Sequence, residues 1–358
     1  MKIGIFGGSF DPIHKGHINI GKFAIKELNL DKLLYVPTFV SPFKQKSNKI
    51  SSQDKIAMIN LVLEERMELC DFEVKQNTVS YTINTVKYLK NKYKDDELYL
   101  IIGSDNITKL NKWKNIDEIA SLTKIVVFKR NKNINKINIK KYNGILLNNP
   151  IWNYSSTDFK KGKLNYVNEK VMDYIQSKNL YLSEIIHNSM SAKRAKHSVS
   201  TASFAAELAK VHNVSAKKAY TAGLIHDIAK EWDEVYSRNF INKYEPDTMN
   251  TPIHFLHQLA GYVWAKYCYR IKDEEILQAV KYHTEMHFNM SNLDKVIFIA
   301  DKICQGRKFP GIQELRKLCF EDLDLGFKKL VKAIYDWNVS TGVIFSQKSE
   351  EIYKKYME

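Results

Sequence analysis

Short apolar runs alternate with helical patterns over roughly the first 150 residues. Lys2–Phe6, Leu33–Val36, Leu98–Ile102, Lys124–Phe128 and Gly144–Leu147 read as buried strands. Helical segments lie between them, such as Ile18–Leu28 with Ile20, Phe23, Ala24 and Leu28 on one face. Strands alternating with helices predict an α/β unit, a parallel sheet with helices on both faces. A helix over Glu169–Ser177 is expected to close this half, and the Lys- and Asn-rich stretch Arg130–Tyr142 reads as an exposed loop.

Beyond about Leu182 the strand pattern stops. Helical periodicity covers Ala192–Val211, Ala216–Ala229, His254–Tyr269, Asp273–Tyr282, Leu293–Ile303 and Leu325–Asn338. This change predicts two domains, 1–182 and an all-α domain 183–358. A length of 358 residues exceeds what one core usually fills.

The four cysteines, Cys70, Cys268, Cys304 and Cys319, form no C-x-x-C pair and read as reduced thiols. Met1 runs straight into Ile3-Gly4-Ile5-Phe6 without a charged-then-apolar layout, and no apolar run is long enough to span a bilayer. A cytoplasmic protein without a membrane partner is the expectation. The formal net charge of +15 suits phosphorylated small substrates. With no nucleic-acid-binding motif in view, lysines spread over solvated faces explain it better than nucleic-acid binding.

The segment Gly7-Gly8-Ser9-Phe10-Asp11-Pro12-Ile13-His14-Lys15-Gly16-His17 follows a strand and opens a helix. Glycines let backbone amides approach a phosphate, and a helix start adds partial positive charge. His14 and His17, three residues apart, face one way and offer hydrogen bonds to a phosphate under attack.

This segment resembles the signature of HIGH-type nucleotidyltransferases, specifically bacterial nicotinate mononucleotide adenylyltransferases. Tyr35-Val36-Pro37-Thr38 with Ser41-Pro42-Phe43-Lys44, Ser80-Tyr81-Thr82-Ile83-Asn84-Thr85, Ile102-Gly103-Ser104-Asp105 with Leu110 and Trp113, and Ser155-Ser156-Thr157 extend the resemblance. Asn84 stands where the family generally has Asp, and Lys160 where Arg is usual. The resemblance implies a Rossmann-like domain that transfers AMP from ATP, brought with Mg²⁺, to nicotinate mononucleotide, releasing pyrophosphate. It implies His14 and His17 as catalytic residues. ATP and its phosphates would meet Gly7, Gly8, Ser9, Phe10, His14, His17, Lys44, Gly103, Asp105, Arg130, Ser155, Ser156 and Thr157. Nicotinate mononucleotide would meet Lys44, Thr82 and Trp113.

The second half carries metal-ligand patterning. His197 lies on one helix, His226-Asp227 ends another, His283 ends a third, and Asp301 sits within Val296-Ile297-Phe298-Ile299-Ala300-Asp301-Lys302-Ile303. An ionised Asp in so apolar a helix is costly to bury, and a cation partner explains it. The order His … His-Asp … Asp is the HD superfamily pattern. Tyr282-His283-Thr284, Ala300-Asp301-Lys302-Ile303, Arg307-Lys308-Phe309-Pro310-Gly311 and Leu315-Arg316 resemble bacterial HD hydrolases that split diadenosine tetraphosphate into two ADP at a di-iron or similar centre.

That resemblance implies metal binding by His197, His226, Asp227, His257, His283 and Asp301. His257, in Leu256-His257-Gln258-Leu259-Ala260-Gly261, fits the family better than His254, although both remain open. It also implies catalysis by Asp227 and Lys230, and substrate contacts from Arg194, Lys230, Thr284 and Arg307. Imidazole and carboxylate donors suit two iron or manganese ions. His187, His212 and His287 read as exposed or structural. The expectation is thus a bifunctional enzyme acting on ATP, nicotinate mononucleotide and diadenosine tetraphosphate, with homo-oligomerisation left open. The alternatives are a non-catalytic nucleotide-binding regulatory half, or an HD half acting on another nucleotide phosphate.

Overall fold

The computed structural model describes residues 1–40, 50–248 and 251–358. They form two compact units. Met1–Phe159 with Lys163–Tyr174 make the first, and Lys160–Gly162 with Ile175–Glu358 the second.

The first unit is built on a six-stranded parallel sheet: β1 (Lys2–Gly8), β2 (Lys32–Pro37), β3 (Met67–Leu69), β4 (Glu97–Gly103), β5 (Lys124–Phe128) and β6 (Ile145–Leu146). Their order is β3-β2-β1-β4-β5-β6. Leu98 through Ile102 are all buried, as a strand covered on both faces requires. The chain winds one way from β1 to β3 and the other way from β4 to β6. The crevice outside the carboxyl ends of β1 and β4 is therefore the switch point where such sheets bind ligands. Helix α1 (Lys15–Leu28) follows β1 and ends at Asn29, whose left-handed φ of 51° stops it.

β3 was not expected, because three residues at a sheet edge are too few to show a period. The expected exposed loop Arg130–Tyr142 is corrected in part: Ile137–Lys141 is helical, and Ile139 and Tyr142 join the core beneath the sheet. Two inward side chains are masked in composition by the lysines and asparagines around them.

The second unit contains the helices Leu182–Ser189, Ala192–Val211, Ala216–Ile225, Glu234–Tyr244, Leu256–Val263, Glu274–Lys281, Asn292–Ile303, Ile312–Glu321, Leu323–Ser340 and Gln347–Met357. A π-helical turn, Trp264–Cys268, extends Leu256–Val263. Nine of the twelve residues of Asn292–Ile303 are buried, which makes it the central helix. The second unit takes up the chain at Ile175, within the helix Glu169–Ser177 and a few residues before the expected 183. No described helix is long and apolar enough to cross a membrane.

Two candidate active sites

In the first unit a cleft of about 520 Å³ lies at the carboxyl ends of β1 and β4. Gly7, Gly8, Ser9, Phe10, His14, His17, Thr82, Gly103, Asp105, Trp113, Arg130, Ser155, Ser156 and Thr157 all line it. Lys44 lies outside the described residues.

His17 is held from three sides. The Tyr35 hydroxyl donates to the His17 carbonyl at 3.2 Å, and Gly21 permits this approach, since a Cβ there would lie 2.2 Å from the same hydroxyl. Phe10, buried and at a positive φ of 43°, sets its ring edge-on to the His17 imidazole at 4.9 Å. A bulky residue in left-handed backbone is a strained arrangement of the kind that collects at functional sites. The amide of His14 donates to His17 Nδ1 at 3.1 Å, and the two imidazoles stack at 3.6 Å. Burial, reinforced by the charge of Arg130, lowers the His14 pKa to about 3.

Arg130 pairs with Asp105 at 3.0 Å, and its amide donates to Ser104 Oγ. Ser156 Oγ donates to the Pro12 carbonyl at 3.0 Å, tying the Ser-Ser-Thr segment to the Gly-rich loop. Lys160 and Asn84 do not line the cleft. Lys160 packs over the Tyr181 ring and lies 3.5 Å from Glu184, and Asn84 is exposed.

The sequence reading missed Glu73. Its buried carboxylate lines the cleft, Oε1 accepts from Thr85 Oγ1 at 2.6 Å, and Oε2 has no partner among the described residues. Burial raises its pKa, against donation from Thr85. No local pattern marks a residue whose partner lies twelve positions on in another helix.

In the second unit the six expected ligand residues converge in two groups, His197–His226–Asp227–Asp301 and Asp227–His257–His283, which share Asp227. Gly223 sets the approach: a Cβ there would lie 2.7 Å from Ala202 Cα, so the helices carrying His197 and His226 pack backbone to backbone. Asp301 Oδ1 lies 2.9 Å from His197 Nε2 and 3.6 Å from His226 Nε2. Asp227 turns Oδ2 to His226 Nε2 at 3.5 Å and Oδ1 to His283 and His257 at 3.5 and 3.7 Å. One carboxylate thus faces both groups with different oxygens.

His226 Nδ1 meets the Gly223 carbonyl at 2.7 Å, and His283 Nδ1 meets the Val280 carbonyl at 2.8 Å. Carbonyls only accept, so both histidines carry their proton on Nδ1 and present Nε2. His226 Nε2 is buried without a hydrogen-bond partner among the described residues. A buried imidazole nitrogen facing two carboxylates fits a cation site: ligands roughly 2.1 Å from one ion lie within about 4.2 Å of each other. Burial opposes charge on Asp227, but the neighbouring His226 and His283 hold it well below the usual carboxylate range.

Cations ring this cluster. Arg194 lies 2.6 Å from Asp227 Oδ2, Lys230 Nζ lies 3.1 Å from His257 Nε2, and Arg307 lies 3.3 Å from Asp301 Oδ1. Thr284 Oγ1 lies 3.3 Å from His257 Nε2. His254 stands apart, exposed and against the Phe255 ring. His187 is exposed, His212 bonds the Cys319 carbonyl, and His287 pairs with Asp294. The contact of Lys302 with Asp301 Oδ2 at 2.6 Å was not anticipated, since neighbours along a helix seldom meet.

Two family models match this chain: Cytidylyltransferase-like over residues 5–162 and HD domain over residues 194–305. A Mycoplasma pneumoniae protein named as a probable nicotinate-nucleotide adenylyltransferase/Ap4A hydrolase is 32% identical, over 92% of this chain and 98% of its own. The Mycoplasma genitalium protein of the same name is 33% identical, over 86% of this chain and 89% of its own. A probable nicotinate-nucleotide adenylyltransferase of Aquifex aeolicus is 43% identical over 38% of this chain and 84% of its own. With an α/β nucleotidyltransferase unit and a helical HD unit in one chain, the protein belongs to the family of fused nicotinate-nucleotide adenylyltransferase/Ap4A hydrolases.

Proposed function

We propose that the chain is a bifunctional enzyme of nucleotide metabolism. Its first unit transfers AMP from ATP to nicotinate mononucleotide, giving nicotinate adenine dinucleotide and pyrophosphate. Its second unit hydrolyses diadenosine tetraphosphate symmetrically, one water yielding two ADP. The observation that carries the reading is the assembly of two full constellations: the cleft around His14 and His17 and the His/Asp cluster sharing Asp227.

In the transfer reaction the mononucleotide phosphate attacks the α-phosphorus of the Mg²⁺-bound ATP, and pyrophosphate leaves. No covalent enzyme intermediate is needed, so the protein contributes position and charge. His17 Nδ1 accepts the His14 amide, which leaves Nε2–H to donate to an α-phosphate oxygen. Arg130 and the Ser155-Ser156-Thr157 segment hold the departing phosphates. Thr82 and Trp113 receive the nicotinate ring, whose carboxylate is favoured over an amide by backbone donors.

For the hydrolysis, His197, His226, Asp227 and Asp301 would hold one divalent ion, iron or manganese, and Asp227, His257 and His283 would hold a second. Such ions would supply Lewis acidity toward phosphate oxygens and water. The Nδ1 bonds of His226 and His283 to carbonyls keep Nε2 of each directed inward. Arg194, Lys230, Thr284 and Arg307 bind the polyphosphate, and Lys230 balances charge that builds on the attacked phosphoryl group.

The test is incubation of the pure protein with ATP and nicotinate mononucleotide, and separately with diadenosine tetraphosphate and manganese, with products identified by mass. Nicotinate adenine dinucleotide in the first and ADP alone in the second are expected. ATP with AMP in the second would remove the symmetric reading.

A further inference from the structure

We infer that Cys304 is a positioning residue of the metal centre, its sulfur holding the His197 imidazole so that Nε2 faces the metal ligands. The inference rests on the metal-centre reading above. Among the histidines of the four-residue group, His226 has its Nδ1 fixed by a backbone carbonyl. Among the described residues His197 Nδ1 meets no carbonyl. Its Nδ1 lies 3.7 Å from Cys304 Sγ, a sulfur hydrogen-bond distance, while its Nε2 lies 2.9 Å from Asp301 Oδ1.

The sulfur is itself held. Cys304 is fully buried at the C-terminal end of the helix Asn292–Ile303, three residues beyond Asp301. Its amide donates to the Ala300 carbonyl, and Arg316 donates to its carbonyl at 2.8 Å and to that of Ile303 at 2.7 Å. On the other side Sγ meets Thr201 Oγ1 at 3.5 Å, one turn along the helix that carries His197. Thr201 thus offers the sulfur a hydroxyl partner while Sγ accepts from His197 Nδ1–H. An imidazole whose Nδ1–H is satisfied this way keeps its Nε2 lone pair for a metal, and it cannot rotate without losing that bond. Cys304 therefore links the helix bearing His197 to the helix bearing Asp301.

The test compares full-length variants Cys304→Ser, Cys304→Val and Cys304→Ala. Serine keeps an acceptor, valine fills the space without one, and alanine does neither. Manganese affinity is measured by chelator competition, and the thermal midpoint is measured on metal-free protein. Loss of a partner that orients a ligand typically weakens metal binding about 10–100-fold. The expected result is that loss in the valine variant, with a metal-free midpoint near that of the wild type, and recovery of most of the affinity in the serine variant. Should alanine fail to fold, the valine–serine pair decides alone. Valine binding manganese as tightly as wild type overturns the inference, as does serine being as weak as valine. Wild-type protein that takes up no metal removes the metal-centre reading and this inference together.

Discussion

The main-chain amide of His14 donates to Nδ1 of His17 at 3.1 Å, beneath two stacked imidazoles. The consequence is a division of labour within one turn. His17 has its Nδ1 spoken for, so its proton lies on Nε2. His14, 3% exposed and near Arg130, is kept neutral.

A pH dependence follows for His14. Its folded pKa of about 3 lies below the ordinary 6.5. Between these values the unfolded chain binds the extra proton, so this group's contribution to stability falls as pH drops through that window. Denaturant unfolding of wild type and His14→Gln from pH 7 to pH 4 should show the wild type losing more stability. A difference that stays constant with pH contradicts the burial argument.

Thr85→Val tests the wall of the same cleft. Removing the hydroxyl leaves Glu73 Oε1 without its 2.6 Å donor, and an unsatisfied buried group costs about 1–3 kcal/mol. The Glu73 pKa, already raised by burial, rises further, so the loss is greater at pH 8 than at pH 5. Unfolding curves at both pH values measure it; a pH-independent loss would point to packing alone.

Gly223→Val addresses how the helices of His197 and His226 meet. The added side chain would press on the Ala202 backbone, and overpacking of this kind costs roughly 1–3 kcal/mol. Thermal midpoint and manganese affinity should fall together. Affinity that survives a clear drop in midpoint would mean the metal ligands do not depend on this packing.

Metal removal should separate the two reactions. After dialysis against a chelator, hydrolysis is lost and returns with iron(II) or manganese(II), whereas transfer returns with Mg²⁺ alone. Hydrolysis at full rate in protein shown to hold no transition metal contradicts the assignment of the His/Asp cluster.

Much of this was legible along the chain, for identifiable reasons. β1 and its Gly-rich turn are contiguous, so strand, loop and His14/His17 appear in one stretch. His197 and Asp301 are 104 positions apart, yet their residue types are scarce in apolar helices and stand out. Glu73, Lys302 and Cys304 did not stand out, because each matters through a partner that only the folded chain brings near. The expected boundary near 182 and the change of unit at Ile175 lie several residues apart, because Glu169–Ser177 is helical whichever unit it belongs to. β3 and the helix Ile137–Lys141 are shorter than the window in which a period shows.

The central claim is that one chain carries two chemistries on separate residue sets. Its most direct test is to assay His17→Ala and Asp227→Ala for both reactions, with folding checked by circular dichroism. Removing one charge-stabilising donor costs about 10²–10³ in rate, so His17→Ala should lose nicotinate adenine dinucleotide synthesis by that factor and keep hydrolysis. Asp227→Ala removes the carboxylate shared by both ligand groups, so it should lose metal and hydrolysis and keep synthesis. Folded variants that lose both reactions together, or neither, would contradict the account.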